Sequence, residues 1–260
     1  SLHDALPILI LLMQARTILI FITLLIKCGE IMKAIISKFL IRRGFKKLQA
    51  SIRSLGPNTL NPAETISFLY SKDSELIQPW QFKEELTGLA TEISTRKPKT
   101  ILEIGTANGG TLFMASRLAA DDALIISIDL PGGKFGGGYP DWKEPIYKSF
   151  ARANQKIELL RMDSHLESTE KRLKEVLNGR TIDYLFIDGD HTYEGAKHDY
   201  YLYSKYLSKG GLIGMHDIVI HPNSKCDVYK LWVELKNIHK HKEYVNNWDQ
   251  GCYGVGVLFP

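Results

Sequence analysis

The chain has 260 residues, 44% of them hydrophobic and 24% charged, a balance that excludes disordered and fibrous classes and allows one α/β domain with extensions. Its formal net charge is +4, but eight Lys/Arg face a single acid, Glu30, between Lys27 and Arg53, so the basicity belongs to an N-terminal extension and the body is mildly acidic. No basic groove with interleaved aromatics appears, which argues against nucleic acid as a partner, and the three cysteines, Cys28, Cys226 and Cys252, match neither a zinc spacing nor a disulfide framework.

Ser1 to Ile8, SLHDALPI, resembles the translation of a sequencing-adapter oligonucleotide and is set aside as an assembly scar, with Met13 and Met32 as candidate starts. The apolar run Ile8 to Ile26 has two readings. It is a marginal membrane span whose following Lys/Arg hold the body in the cytoplasm, or it is upstream sequence read through. Arg16 in its middle favours the second, because a central Arg is costly in lipid. Residues 1–31 are therefore expected to be non-native or a marginal membrane segment, 32–80 a basic extension, and 81–260 the catalytic domain. From Met32, Ile35, Phe39 and Leu40 recur at helical spacing among basic residues. That suits contact with an anionic membrane surface, or a solvated helix docked on the domain.

Gly56-Pro57-Asn58 and Asn61-Pro62 predict a linker. A helix is expected over Gln81 to Thr95, with Phe82, Leu86, Leu89 and Ile93 on one face. Strand one follows at 101–104, a helix at 110–119 and strand two at 124–129. The Gly/Pro-rich loop Pro131 to Trp142 leads to a helix ending near Ala153. Strand three is expected at Ile157 to Arg161 and a helix at Leu166 to Leu177. Strand four is Ile182 to Asp188, a helix covers Tyr193 to Tyr206, and strand five is Leu212 to Asp217. A helix over Val228 to His239 precedes two β patterns, Tyr244 to Trp248 and Tyr253 to Phe259. Alternating strands and helices imply a parallel sheet with right-handed crossovers, and the two closing strands must pair antiparallel.

TILEIGTANGGTL, Thr100 to Leu112, is a buried strand that breaks at a glycine turn and opens a helix. The glycines permit close backbone approach, and the helix start offers free N–H groups to an anion. Asp129 ends the next strand where a ribose-binding carboxylate falls. Together these point to an adenosine-bearing cofactor. The turn is not a clean G-x-G-x-x-G, because Ala107 replaces the second glycine; a nicotinamide dinucleotide stays open on this evidence. Against it stand Glu103, an acid inside the strand that suits a cationic amino-acid cofactor, and the lack of a second substrate domain.

ILEIGTANGGTL, IDL, RMDSH and YLFIDGDHTYEGAKHDYYLYSKYLSKGGLIGMHD resemble class I S-adenosylmethionine-dependent methyltransferases. More narrowly, they are similar to the branch related to macrolide- and cephalosporin-tailoring enzymes, akin to metal-dependent catechol O-methyltransferases. The resemblance covers about Gln81 to Phe259. It implies a Rossmann-like, seven-stranded, mostly parallel sheet with helices on both faces and an antiparallel C-terminal hairpin strand.

The resemblance also implies roles. Glu103, Gly105, Thr106, Ala107, Asn108 and Gly109 would hold the methionine part of S-adenosylmethionine. Asp129, with Leu130 beside it, would accept the ribose hydroxyls, and Asp163 and Ser164 would meet the adenine. Asp129 as a helix N-cap or loop acid and Asp163 as a helix N-cap are the structural alternatives. Asp188 closes strand four and His216-Asp217 closes strand five, so the three can converge on Mg²⁺ or Mn²⁺. The related pattern adds an Asp or Asn beside the strand-five acid; here Ile218 follows and His216 precedes it. His191 lies where relatives place the base that takes a hydroxyl proton, with a loop-pinning hydrogen bond as its alternative. His165, His198, His221, His239 and His241 are read as surface or loop residues, and Tyr200, Tyr201 and Tyr203 as packing. Tyr139 and Trp142 are expected to wall the acceptor pocket.

The expected reaction is methyl transfer to a hydroxyl of a small molecule or glycan. A metal-dependent hydrolase and a catalytically silent cofactor-binding module remain as alternatives. A homo-oligomer is left open.

Overall fold

Alternating apolar strands and amphipathic helices place seven strands in one sheet, in the order β3-β2-β1-β4-β5-β7-β6. The computed structural model describes residues 43–132, 138–222 and 225–260. The expectations for residues 1–42, and for the centre of the Gly/Pro-rich loop, lie outside the described residues. Leu48–Pro260 form one compact unit, which includes residues 48–80.

The strands are β1 Thr100–Ile104, β2 Leu124–Ile128, β3 Lys156–Leu160, β4 Ile182–Ile187, β5 Leu207–His216, β6 Lys240–Tyr244 and β7 Val255–Phe259. The first five run parallel, while β7 is antiparallel to both β5 and β6. Every residue of β1 and β2 is buried, as expected where helices cover both faces. Alternation along a strand sends Leu102, Ile104, Ile126, Ile128, Leu185 and Ile187 into one core.

That core is closed by α6 Glu167–Leu177, α7 Tyr193–Tyr203 and α8 Val228–Lys236. The opposite face carries α3 Lys83–Arg96 and α4 Gly110–Leu118, with α2 Pro62–Leu69 packed on both. Residues 43–54 form α1, whose Leu48 and Ile52 are buried. The short α5 Glu144–Lys148 sits against β3.

Four expectations change. Asn61-Pro62 is a helix start rather than a linker: the Asn61 side chain accepts from Glu64 N, Glu64 returns a bond to Asn61 N, and Pro62 takes the first turn. The helix expected to reach Ala153 is a 3₁₀ turn, Asp141–Lys143, followed by α5, which ends at Lys148. Strand five begins at Leu207, because Lys209-Gly210-Gly211 continue the strand. The penultimate strand is Lys240–Tyr244 rather than Tyr244 to Trp248. As an edge strand it is largely exposed and carries charge, so it lacks apolar alternation. No helix among the described residues is long and apolar enough to cross a membrane.

Candidate active site

In this strand order the chain reverses direction of travel between β1 and β4, and such a switch point opens a crevice at the strands' carboxyl ends. A cavity of about 370 Å³ lies there. It is lined by the glycine turn, the ends of β2 and β3, the loops after β4 and β5, and Pro79, Trp80 and Gln81.

Gly105 takes φ +85°, and a Cβ there would sit 1.9 Å from the Asp188 carbonyl oxygen. The turn therefore needs glycine to bring β1 and β4 together at the cavity floor. The carboxylate of Asp129 latches the turn: Oδ2 accepts Thr106 N at 3.0 Å and Ala107 N at 2.8 Å. Oδ1 accepts Gly138 N at 3.0 Å. Those two turn amides therefore point at Asp129 and not at a ligand carboxylate. Burial raises the Asp129 pKa against these bonds.

Gly105, Thr106, Ala107, Asn108, Gly109, Asp129, Leu130, Asp163 and Ser164 all line the cavity. Glu103 does not. It is buried behind the turn, where its Oε2 accepts the Thr106 hydroxyl at 2.9 Å. Burial pushes its carboxyl up to about 8. Asp163 is not a helix cap: its Oδ1 accepts His165 N, and the residue preceding α6 is Leu166. Ser164 is held from α7, whose Tyr203 hydroxyl donates to the Ser164 carbonyl at 2.5 Å.

Asp188, His191, His216 and Asp217 converge at the other end. Asp188 Oδ1 lies 2.9 Å from His216 Nδ1 and 3.4 Å from His191 Nε2. Asp188 Oδ2 accepts Gln81 Nε2 at 2.8 Å. Asp217 adopts φ +60°, unusual for a residue with a Cβ. Its Oδ2 is 3.1 Å from His191 Nδ1, and its Oδ1 is 3.1 Å from His221 Nε2.

Burial disfavours charge on both central imidazoles, but the facing carboxylates outweigh it. His191 is held up to about 11 by Asp188 and Asp217, and His216 up to about 9. Burial likewise opposes ionisation of Asp188 and Asp217, yet the imidazoles hold both below the usual carboxylate range. Two carboxylates thus face the His191 ring and favour its protonated form.

Several residues escaped the sequence reading. His221 is not a free surface residue: besides Asp217 it meets Tyr253 N, which donates to His221 Nε2 at 3.0 Å. His165 lines the cavity with its Nε2 3.5 Å from the fully buried Asp199. That carboxylate raises the His165 pKa, while burial raises that of Asp199. Trp80, Gln81, Met162 and Tyr253 also line the cavity. Tyr253 stacks on the His216 ring at 5.6 Å. The acceptor walls expected from sequence are not part of this cavity. Tyr139 is buried against Tyr147, Trp142 stands outside, and neither lines the cavity. Tyr200 and Tyr203 are buried as expected, but Tyr201 is exposed.

Comparison with known proteins bears on this arrangement. The family profile of a methyltransferase domain matches residues 102–218. Over 118 residues the chain is 33% identical to uncharacterized protein R132 of Acanthamoeba polyphaga mimivirus, covering 45% of this chain and 51% of that protein. It is 25% identical to uncharacterized protein y4gI of Sinorhizobium fredii over 166 residues, 63% of this chain and 17% of that protein. The chain therefore spans about half of one curated relative and less of the other. The O-methyltransferase from Bacillus cereus, solved in complex with SAH, aligns at 15% identity and a TM-score of 0.50, over 79% of this chain and 93% of that one. TomG of Streptomyces achromogenes, an O-methyltransferase of tomaymycin synthesis solved with SAM, aligns at 14% identity and a TM-score of 0.50, over 75% and 89%. These solved structures share the fold.

Proposed function

We propose that this chain, which carries a methyltransferase domain over residues 102–218 in the class I fold, moves the methyl group of S-adenosylmethionine to a hydroxyl of a small molecule or glycan. The observation that carries the reading is the joining of two half-sites in one cavity: an acid-latched glycine turn at one end and an Asp/His cluster at the other. The cavity, about 370 Å³, falls within the range of small-molecule sites.

In this reading the turn and Leu130 flank the cofactor's methionine and ribose, and Asp163 and Ser164 border its adenine. Asp129 has two tasks, since the oxygens that would meet the ribose also hold the turn. The acceptor oxygen forms a bond to the methyl carbon while the carbon–sulfur bond breaks, its electrons staying on sulfur as S-adenosylhomocysteine forms. The chain contributes positioning. Asp188 and His191 are the proton-handling pair. The hydroxyl proton is received on the Asp188 carboxylate, or on His191 once that ring has released its own.

Asp188, His216 and Asp217 fit a divalent cation. Their ligand atoms lie within 4.8 Å of one another, and the buried His216 turns Nδ1 toward both carboxylates, at 2.9 Å from Asp188 and 3.5 Å from Asp217. Bound there, Mg²⁺ or Mn²⁺ would lower the pKa of the acceptor hydroxyl.

Calorimetric titration tests the reading. S-adenosylhomocysteine should bind and NAD should not. Asp129→Ala should remove that binding, while Asp188→Asn keeps it and loses methyl transfer across a panel of hydroxylated acceptors by about a hundredfold or more. Binding of NAD in place of S-adenosylhomocysteine, or undiminished binding by Asp129→Ala, would contradict it.

A further inference from the structure

Asp217 presents its two oxygens in opposite directions. Oδ1 faces His216 at 3.5 Å and His221 at 3.1 Å, whereas Oδ2 faces His191 Nδ1 at 3.1 Å. A third group belongs to this cluster, the thiol of Cys226, buried in the loop that leads from β5 into α8. The next residue ties that loop to the site, since Asp227 N donates to the His191 carbonyl at 2.8 Å. The ligand atoms of His191, Asp217 and Cys226 all lie within 4.8 Å of one another.

We infer that His191, Asp217 and Cys226 form a three-ligand site for a divalent transition cation of the zinc and cobalt class. The chemistry of the donors selects the cation. Sulfur and imidazole nitrogen favour Zn²⁺ or Co²⁺ and contribute little to Mg²⁺, which takes oxygen. Bond lengths of about 2.0–2.3 Å place tetrahedral ligand atoms roughly 3.3–3.8 Å apart, a spacing inside the 4.8 Å that bounds this triad. Three protein ligands leave the fourth position open, the pattern of a site that also receives water or a substrate oxygen.

The surroundings of His191 support the assignment. With Nδ1 on the cation, Nε2–H points at Asp188 Oδ1, 3.4 Å away. A ligating imidazole whose other nitrogen donates to a carboxylate is the arrangement that fixes ring orientation and strengthens the ligand. Coordination releases the Cys226 proton to solvent, together with the extra proton of the imidazolium. His191 then serves the cation, and receipt of the hydroxyl proton falls to Asp188. This triad differs from Asp188, His216 and Asp217, which holds no sulfur. It uses the same loop cluster as the proposed function but does not depend on methyl transfer.

Cobalt titration of the full chain, without any methyl donor, reads the site directly. A thiolate-to-cobalt charge-transfer band should rise in the near ultraviolet at one equivalent. Zn²⁺ should bleach it, and Mg²⁺ in large excess should not. Cys226→Ser should lose the band, whereas Cys28→Ser and Cys252→Ser keep it. His191→Gln, with the thiol intact, should weaken cobalt binding by at least about tenfold, in line with the loss of one ligand. Circular dichroism identifies any variant that fails to fold. Cobalt bound without the band, a band that survives in Cys226→Ser, or no cobalt bound by the folded chain would overturn the assignment. Since no S-adenosyl compound is present, failure here leaves the cofactor reading standing, and failure of that reading leaves this one.

Discussion

Glu103 shows how one buried side chain sets a pH dependence. Its carboxyl is fully enclosed, accepts from Thr106, and titrates at about 8 because burial penalises its charge. An acid whose folded pKa lies above its unfolded value leaves folding unpenalised below the unfolded pKa. It then costs stability progressively as pH rises from about 4.5 to about 8. Glu103→Gln keeps an acceptor for Thr106 and removes the charge. It should therefore be more stable than the parent at pH 9, by on the order of 2–4 kcal/mol, and nearly equal to it at pH 4.5. Thermal melts at the two pH values check this, and an equal advantage at both would show that charge is not the cause. At this scale the sequence was legible where chemistry sits on a strand end. Asp129, Asp188 and Asp217 are each brought to the crevice by the alternation and length of their own strands. Glu103 was placed on the right strand, but its inward direction was not readable, because the same spacing suits a residue facing the cofactor. Gln81 could not be found locally at all: its partner Asp188 lies 107 positions away.

Among the elements, α2 bears on the site although none of its residues lines the cavity. It leads through the 3₁₀ turn Glu75–Ile77 into Pro79, Trp80 and Gln81, which form the front wall of the cavity. Two contacts lock that wall. The Tyr70 hydroxyl donates to the Gln81 carbonyl at 2.6 Å, and Ile77 and Pro79 press so closely on Gly110 that a Cβ there would lie 2.5 Å from the Ile77 oxygen. The start of α2 rests on the reciprocal Asn61–Glu64 cap. Asn61→Ala should cost about 1 kcal/mol of stability in urea denaturation, and Asn61→Asp should cost much less. A cost near zero for the alanine would mean that tertiary packing alone holds the helix. Asn-Pro marks turns and helix starts alike, and the signal that separates them was Glu64, three residues on, which completes the capping box. The charged edge strand β6 was misplaced for a different reason. It lacks apolar alternation, and its tie to α3, where Lys242 and Tyr244 both donate to Glu92 Oε1, is long-range.

For the whole molecule, the order β3-β2-β1-β4-β5-β7-β6 does two things at once. It covers β1, β2 and β4 on both faces, which lets their apolar runs build the core. It also gathers the carboxyl ends of β1, β2, β4 and β5 along one edge, so acids distant in sequence share a single cavity. Parallel topology was legible from the strand–helix alternation. The pairing of the cluster into Asp188–His191–Asp217 was legible only as far as the strand ends, because His221, Cys226 and Tyr253 arrive on loops whose course no periodicity encodes. The central claim is that the crevice between β1 and β4 receives the cofactor with its sulfur toward the Asp/His cluster. A crystal structure of the chain with S-adenosylhomocysteine measures this most directly. The account predicts the ribose beside Asp129, the adenine against Asp163 and Ser164, and the sulfur facing Asp188 and His191. The ligand seated elsewhere, or lying with its sulfur turned away from the cluster, would contradict it.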